Sequence, residues 1–180
     1  MQDKIAVATR INELLTTIIK LGGFKLKYRI TVDPPLPEER DWEHPVILAE
    51  FSGADSGLLL ERGGELLRAI EYLAMETCRL GHEQHDRIAF DCNGFRRARF
   101  EELKMSATVA AEKVQKSGVP YPFAAMSSRE RRVIHLALRD FEDLRTESEG
   151  EGPERHLVVY PKNYKGKPPA APPMMRRGRR

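Results

Sequence analysis

The segment "RERRVIHLALRD", residues 129–140, places basic side chains at a spacing that suits contact with an anion. Arg131, His135 and Arg139 are four residues apart, and such positions share one face of an α-helix. Arg132 lies beside this stripe. A guanidinium offers a fixed fork of donors to phosphate oxygens, and a histidine can donate to phosphate or stack on a base. The pattern predicts a basic helix face that contacts nucleic acid. The alternative is an ordinary solvated face.

Hydrophobic periodicity predicts the elements that position this helix. The pattern indicates helices at residues 4–20, 65–80, about 95–116 and 129–140. It indicates strands at residues 24–32, 46–53 and 87–92, a short strand before the last helix, and two strands around a glycine-rich turn within residues 144–161. This order predicts an α+β fold of two small α/β modules, residues 1–92 and 93–161.

Charge is distributed unevenly along the 180 residues. Residues 162–180 hold seven Lys or Arg residues and no acid, whereas the remaining 161 residues hold 23 basic and 27 acidic residues, a net of −4. The tail also contains four prolines and has no hydrophobic periodicity, so it is predicted to be disordered. A mildly acidic body can attract a polyanion only through local basic patches, whereas the tail can do so along its length.

The sequence contains no apolar run long enough to cross a bilayer. The first 20 residues are interrupted by polar side chains and are typical of an amphipathic helix, not of a signal peptide. We therefore expect a cytoplasmic protein without membrane insertion.

Four cysteine and histidine residues are candidate metal ligands. Cys78, His82, His85 and Cys92 could bind zinc, but their spacing matches no common zinc pattern and both cysteines fall at apolar positions. We expect the cysteines to be small buried hydrophobes, with no metal or other cofactor. The sequence contains no nucleophile elbow, Walker loop or metalloprotease histidine pair, which predicts a protein that is not an enzyme.

A glycine-bearing turn lies within "GADSGLLLERGGELLRAIEYL", between two predicted strands. The turn holds Glu61, Arg62, Gly63 and Gly64 and enters a helix, whose N-terminal N–H groups can bind phosphate. The alternative is a plain turn and helix cap.

Three segments, "GFRRARFEELKMSATVAAEKV", "RERRVIHLAL" and "TESEGEGPERHLVVYP", resemble in order the domain named for its Arg-x-x-x-His (RxxxH) motif. The segment around residues 61–64 resembles the KH domain that precedes this domain in the bacterial Jag family. The resemblance implies a type II KH-like domain followed by an RxxxH-type domain. It aligns residues 61–64 with the G-x-x-G loop by which KH domains clamp single-stranded nucleic acid, with glutamate replacing the first glycine.

The resemblance also implies further contacts. Arg155 would add a third contact beside the basic stripe, or would pair with nearby acids. Arg96 and Arg99 match the long-helix pattern of the family, or they cap that helix and pair with acidic neighbours.

The resemblance implies a regulatory protein that binds single-stranded RNA, or single-stranded DNA, mainly through the RxxxH-type domain and basic tail. It further implies a link with cell elongation or envelope control, and a homodimer or pairing with a small KH-only protein. The alternative function is a protein–protein adaptor whose degenerate KH-like module is a dimerisation surface. A nucleotide-handling enzyme is disfavoured because no phosphate-cradling glycine loop is present.

Overall fold

The computed structural model describes residues 3–35, 44–81 and 87–169. The chain divides into two compact units, Met1–Arg96 and Arg97–Arg180. Each unit combines helices with a three-stranded sheet. The predicted α+β fold is therefore confirmed.

The first unit contains α1 (Lys4–Gly22), β1 (Leu26–Val32), β2 (Ile47–Gly53), α2 (Ser56–Thr77) and β3 (Ile88–Cys92). Its sheet has the order β1-β2-β3, with β1 antiparallel and β3 parallel to β2. The helix α1 contacts β1 and α2, and α2 contacts β2 and β3. The core between them is apolar and includes Ile11, Leu15, Ile47, Leu67 and Phe90.

The ends of α1 follow from the sequence. The carboxylate of Asp3 accepts a hydrogen bond from the backbone N–H of Ile5 at 3.0 Å, which caps the first turn. Gly23 ends the helix in the left-handed conformation, with φ of 65°. The helix predicted over residues 4–20 is thus confirmed.

The second unit is built from α3 (Phe95–Ser117, the first two residues of which belong to the first unit), β4 (Tyr121–Pro122), α4 (Ser128–Ala137), β5 (Leu144–Glu149) and β6 (His156–Pro161). Its sheet has the order β4-β6-β5, and both strand pairs are antiparallel. The apolar sides of α3 and α4 meet one sheet face in a core that includes Leu103, Ala107, Val114, Ile134, Leu138, Leu157 and Val159. The predicted apolar seam of the long helix is confirmed.

Residues after β6 continue to contact the sheet. The backbone N–H of Lys162 donates to the carbonyl of Asp143 at 2.8 Å, and Arg145 donates to the carbonyl of Tyr164 at 3.3 Å. The rings of Tyr160 and Tyr164 lie 5.6 Å apart. The first residues of the predicted tail are therefore bound to the second unit, while residues 170–180 lie outside the described residues.

Cys78 and Cys92 are completely buried in the first core, as expected for small hydrophobes. Burial raises the pKa of both thiols, and the nearby positive charge of Arg10 partly offsets this effect at Cys78. His82 and His85, the other two candidate zinc ligands, lie outside the described residues. Within the described parts of the chain, no helix combines the length and hydropathy needed to cross a bilayer.

Candidate functional site

The basic helix α4 begins with a reciprocal cap. The Ser127 hydroxyl accepts from the backbone N–H of Glu130 at 3.3 Å, and the Glu130 carboxylate accepts from the backbone N–H of Ser127 at 2.9 Å. Glu130 also accepts from Nε of Arg99 on α3 at 2.8 Å. These contacts fix the start of α4 against the long helix, and so fix the direction of its basic face.

An open groove of about 250 Å³ runs along that face. Its α4 side is basic and hydroxylic, and its strand side comes from β5 and β6; the lining residues are Ser128, Arg131, Arg132, His135, Thr146, Glu147, Ser148 and Leu157. Three predicted contact residues, Arg131, Arg132 and His135, are therefore brought together in one concave site.

Arg131 has no protein anion to neutralise it. Its Nε is buried without a hydrogen-bond partner, and its guanidinium makes no ion pair with any described residue. Burial lowers the pKa of Arg131, and the positive charge of Arg155 lowers it further. Arg155 is thus close to Arg131, as the resemblance implied, and it too forms no ion pair in the described parts of the chain. Two neighbouring guanidinium groups without an acid make this site suited to an anionic ligand.

His135 is held from the strand side of the groove. Its Nδ1 lies 2.6 Å from Oγ1 of Thr146 on β5, and the two groups share a hydrogen bond. The histidine side chain is otherwise exposed. The contact leaves Nε2 as the ring nitrogen available to a ligand.

The predicted stripe does not extend to Arg139. The helix ends at Ala137, and a turn follows in which the N–H of Arg139 donates to Leu136 at 3.3 Å and that of Phe141 to Leu138 at 3.2 Å. The i, i+4 spacing therefore fails after His135. The Arg139 side chain is exposed and lies 3.6 Å from the carboxylate of Asp140.

The two long-helix arginines are engaged within the protein. Arg99 pairs with Glu102 at 2.9 Å, one of the acidic neighbours that the alternative interpretation named, as well as with Glu130. Arg96 lies 3.4 Å from the buried carboxylate of Glu71, and its backbone N–H donates to Asp91 at 3.0 Å. Both arginines therefore stabilise the local fold.

The glycine-bearing turn of the first unit interrupts α2. Glu61, Arg62, Gly63 and Gly64 have non-helical backbone angles between two helical halves, as expected for a loop at this position. Glu61 has φ of −55°, whereas the next three residues have φ of 51°, 69° and 82°. Because an ordinary negative φ suits any residue, the glutamate replaces glycine without backbone strain.

Gly64 is the loop position that requires glycine. A Cβ atom there would lie 2.8 Å from Cε1 of Phe95, and φ of 82° is unfavourable for other residues. Gly63 also has positive φ but faces open space. Its carbonyl accepts a hydrogen bond of 2.5 Å from Arg68. The Glu61 carboxylate is exposed and makes no ion pair within the described part of the protein.

The groove lies in a stretch of sequence shared with known proteins. Residues 101–161 match the family model of the domain named for arginine and histidine separated by three residues, the RxxxH domain. The matched segment contains α4, β5, β6 and every residue that lines the groove.

Similar bacterial proteins extend the likeness beyond that segment. The chain is 31% identical over 109 residues, 61% of its length, to RNA-binding protein KhpB of Clostridium symbiosum, and it covers 49% of that protein. It is 31% identical over 111 residues to RNA-binding protein KhpB of Bacillus subtilis, covering 53% of it. It is 27% identical over 157 residues to the protein of that name from Lactiplantibacillus plantarum, covering 45% of it. The chain spans about half the length of these curated relatives. The matches support the resemblance to the Jag family.

Sequence reasoning overlooked two kinds of residue at this site. Thr146 and Ser148 were recognised only as part of a motif, although both line the groove. Glu130 was not singled out, although "SSRE" before an apolar stretch is a capping-box pattern that could have identified it.

Proposed function

We propose that this chain is a single-stranded RNA-binding regulatory protein of the bacterial cytoplasm, without enzymatic activity, and that the groove beside α4 contacts the RNA backbone. The observation that carries this proposal is the unpaired Arg131 beside Arg155, in a groove that also presents His135. Phosphate oxygens supply the charge and the acceptors that these groups lack. Single-stranded DNA offers the same phosphates and is a second ligand to compare.

The comparisons favour RNA over other polyanions. The groove lies within the segment that matches the RxxxH domain, and the relatives are named RNA-binding proteins. Alignments longer than that segment support a KH-like role for the first unit. A link with cell elongation or envelope control, and pairing with a small KH-only protein, belong to the same proposal.

Crosslinking to RNA in cells, followed by mapping of the linked peptides, tests this function. We expect crosslinked peptides from α4 and β5, because these elements line the groove. Crosslinks confined to residues 56–81 would instead place the RNA on the first unit, and the groove proposal would be wrong.

A protein–protein adaptor is the second candidate, and the first unit favours it. Glu61 places an unpaired carboxylate where phosphates would approach a KH loop, and on α2 the adjacent Tyr72 and Leu73 are 54% and 50% exposed. An exposed apolar pair of this kind is suited to a contact with a second protein chain. Sedimentation of the wild type and a Tyr72→Ser, Leu73→Ser variant tests self-association, which the adaptor role predicts the variant to lose.

A further inference from the structure

The hydrogen bond between Thr146 and His135 joins the strand side of the groove to its helix side. Thr146 and Val159 are paired residues of β5 and β6, so the threonine lies on a strand hydrogen-bonded into the sheet. Its Oγ1 is 2.6 Å from Nδ1 of His135, one turn beyond Arg131 on α4. A side chain on the rigid sheet thus restrains a side chain on the helix.

We infer that Thr146 is a positioning residue that directs Nε2 of His135 toward the RNA backbone or a base, an inference that rests on the proposed function. A histidine on an exposed helix face can rotate about two bonds and has two nitrogens that can each meet a ligand. A hydrogen bond at Nδ1 selects one ring orientation and couples the protonation of Nδ1 to that of Nε2. The same arrangement is familiar at metal sites, where a partner on one ring nitrogen orients the other.

The neighbouring residue Ser148 provides a matched contrast. Ser148 is two residues along β5 from Thr146, so both side chains lie on the same sheet face, and both line the groove. The Ser148 hydroxyl makes no hydrogen bond with the described residues, whereas that of Thr146 is engaged by His135. Positioning of the ring is therefore assigned to Thr146 and not to Ser148.

The first test measures the ring nitrogens of His135 directly, without RNA. Long-range ¹H–¹⁵N spectra of the full chain would be compared among the wild type, Thr146→Val, Thr146→Ser and Ser148→Ala, with His135→Gln used to assign the ring signals. Thr146→Val keeps the shape of the side chain and removes its hydroxyl, so the ¹⁵N shifts of His135 should change. Thr146→Ser and Ser148→Ala should leave them as in the wild type. Unchanged shifts in Thr146→Val would overturn the inference, whether or not the protein binds RNA.

The second test measures affinity for a labelled single-stranded RNA oligonucleotide. Loss of one orienting hydrogen bond should weaken binding by Thr146→Val roughly three- to tenfold, while Thr146→Ser should stay within about twofold of the wild type. Wild-type affinity in Thr146→Val, combined with weaker binding by His135→Gln, would overturn the positioning role. Failure of Thr146→Ser to restore affinity would do the same, since strand packing would then be the cause. A wild-type chain that binds no single-stranded RNA would instead refute the proposed function.

Discussion

Nε of Arg99 on α3 donates to Oε1 of Glu130 on α4 at 2.8 Å, across 31 residues of sequence. Burial alone would raise the pKa of the Glu130 carboxyl, but hydrogen bonds from Ser127 and Arg99 outweigh it, so the pKa is lowered. The ionised carboxylate therefore stabilises the fold of the second unit and secures the helix that carries the groove.

This pair predicts a pH-dependent stability of α4. Because the pKa of Glu130 is lower in the folded state, its contribution is complete above the unfolded value of about 4.3 and is lost as the pH falls below it. Glu130→Gln should lower the free energy of unfolding by about 1 kcal/mol at neutral pH and lose part of the acid sensitivity. Urea titrations followed through the NMR signals of α4, at neutral and acidic pH, measure this effect. Glu102→Gln is the control, because Glu102 pairs with the same arginine at an exposed position. An equal loss in both variants would contradict the special role of Glu130.

Arg131→Ala should weaken binding of single-stranded RNA by about tenfold or more, because a charge-assisted hydrogen bond to phosphate is lost. Stability should change by only about 0.5 kcal/mol, since the guanidinium has no partner within the described residues. Arg139→Ala removes the same charge outside the groove and should have the smaller effect. Fluorescence anisotropy and thermal melting of both variants provide the comparison. Equal binding losses would show that net charge, and not the groove, determines affinity.

Glu61→Gly should leave RNA affinity unchanged if the first unit serves protein contact. If RNA follows the loop, removal of the carboxylate should tighten binding, and the gain should shrink as salt rises. Glu61→Gln separates the two effects of this change, because it removes the charge without adding backbone freedom. Titrations with one oligonucleotide at low and high salt decide between these outcomes. A salt-sensitive gain in both variants would restore the loop as an RNA site.

The four arginines of residues 168–180 should steepen the salt dependence of RNA binding, since each phosphate contact releases counterions. Changing all four to glutamine should reduce the slope of log affinity against log salt by up to about three. Substitution is a better test than deletion of residues 162–180, because Lys162 and Tyr164 contact the sheet. An unchanged slope would exclude these cations from binding.

Gly64→Ala should destabilise the first unit by about 1 to 3 kcal/mol, because the new methyl group would meet Phe95 and φ is positive. Gly63→Ala shares the positive φ but faces open space, so it should cost only about 1 kcal/mol. Urea unfolding followed by NMR signals of β3 compares the two. A smaller loss at Gly64 than at Gly63 would contradict the packing argument.

Local patterns predicted most of the elements, because hydrophobic periodicity and helix-ending glycines act over a few residues. The alternating residues of β1, the apolar seam of α3 and the loop at residues 61–64 all follow from such patterns. The end of α4 was predicted too late, since Arg139 matches the helical spacing but lies in a turn.

Contacts between distant segments could not be predicted in this way. Glu130 is 31 residues from Arg99, and Thr146 is 11 residues from His135 on a different element. Only tertiary packing brings each pair together. The same spacing that identified Arg131 and His135 therefore gave no indication of what holds them in place.

The contact between Gly64 and Phe95 separates two reasons for which a glycine can persist in evolution. The glycine is required by close packing within the first unit and by its backbone angle, neither of which involves a ligand. Natural selection for folding alone would retain it in descendants that had lost every nucleic-acid contact at this loop. Position 61, where the backbone accepts any residue, is free to vary with function. Across related proteins, the first position of this loop is therefore the informative marker of activity, and the last is a marker of the fold.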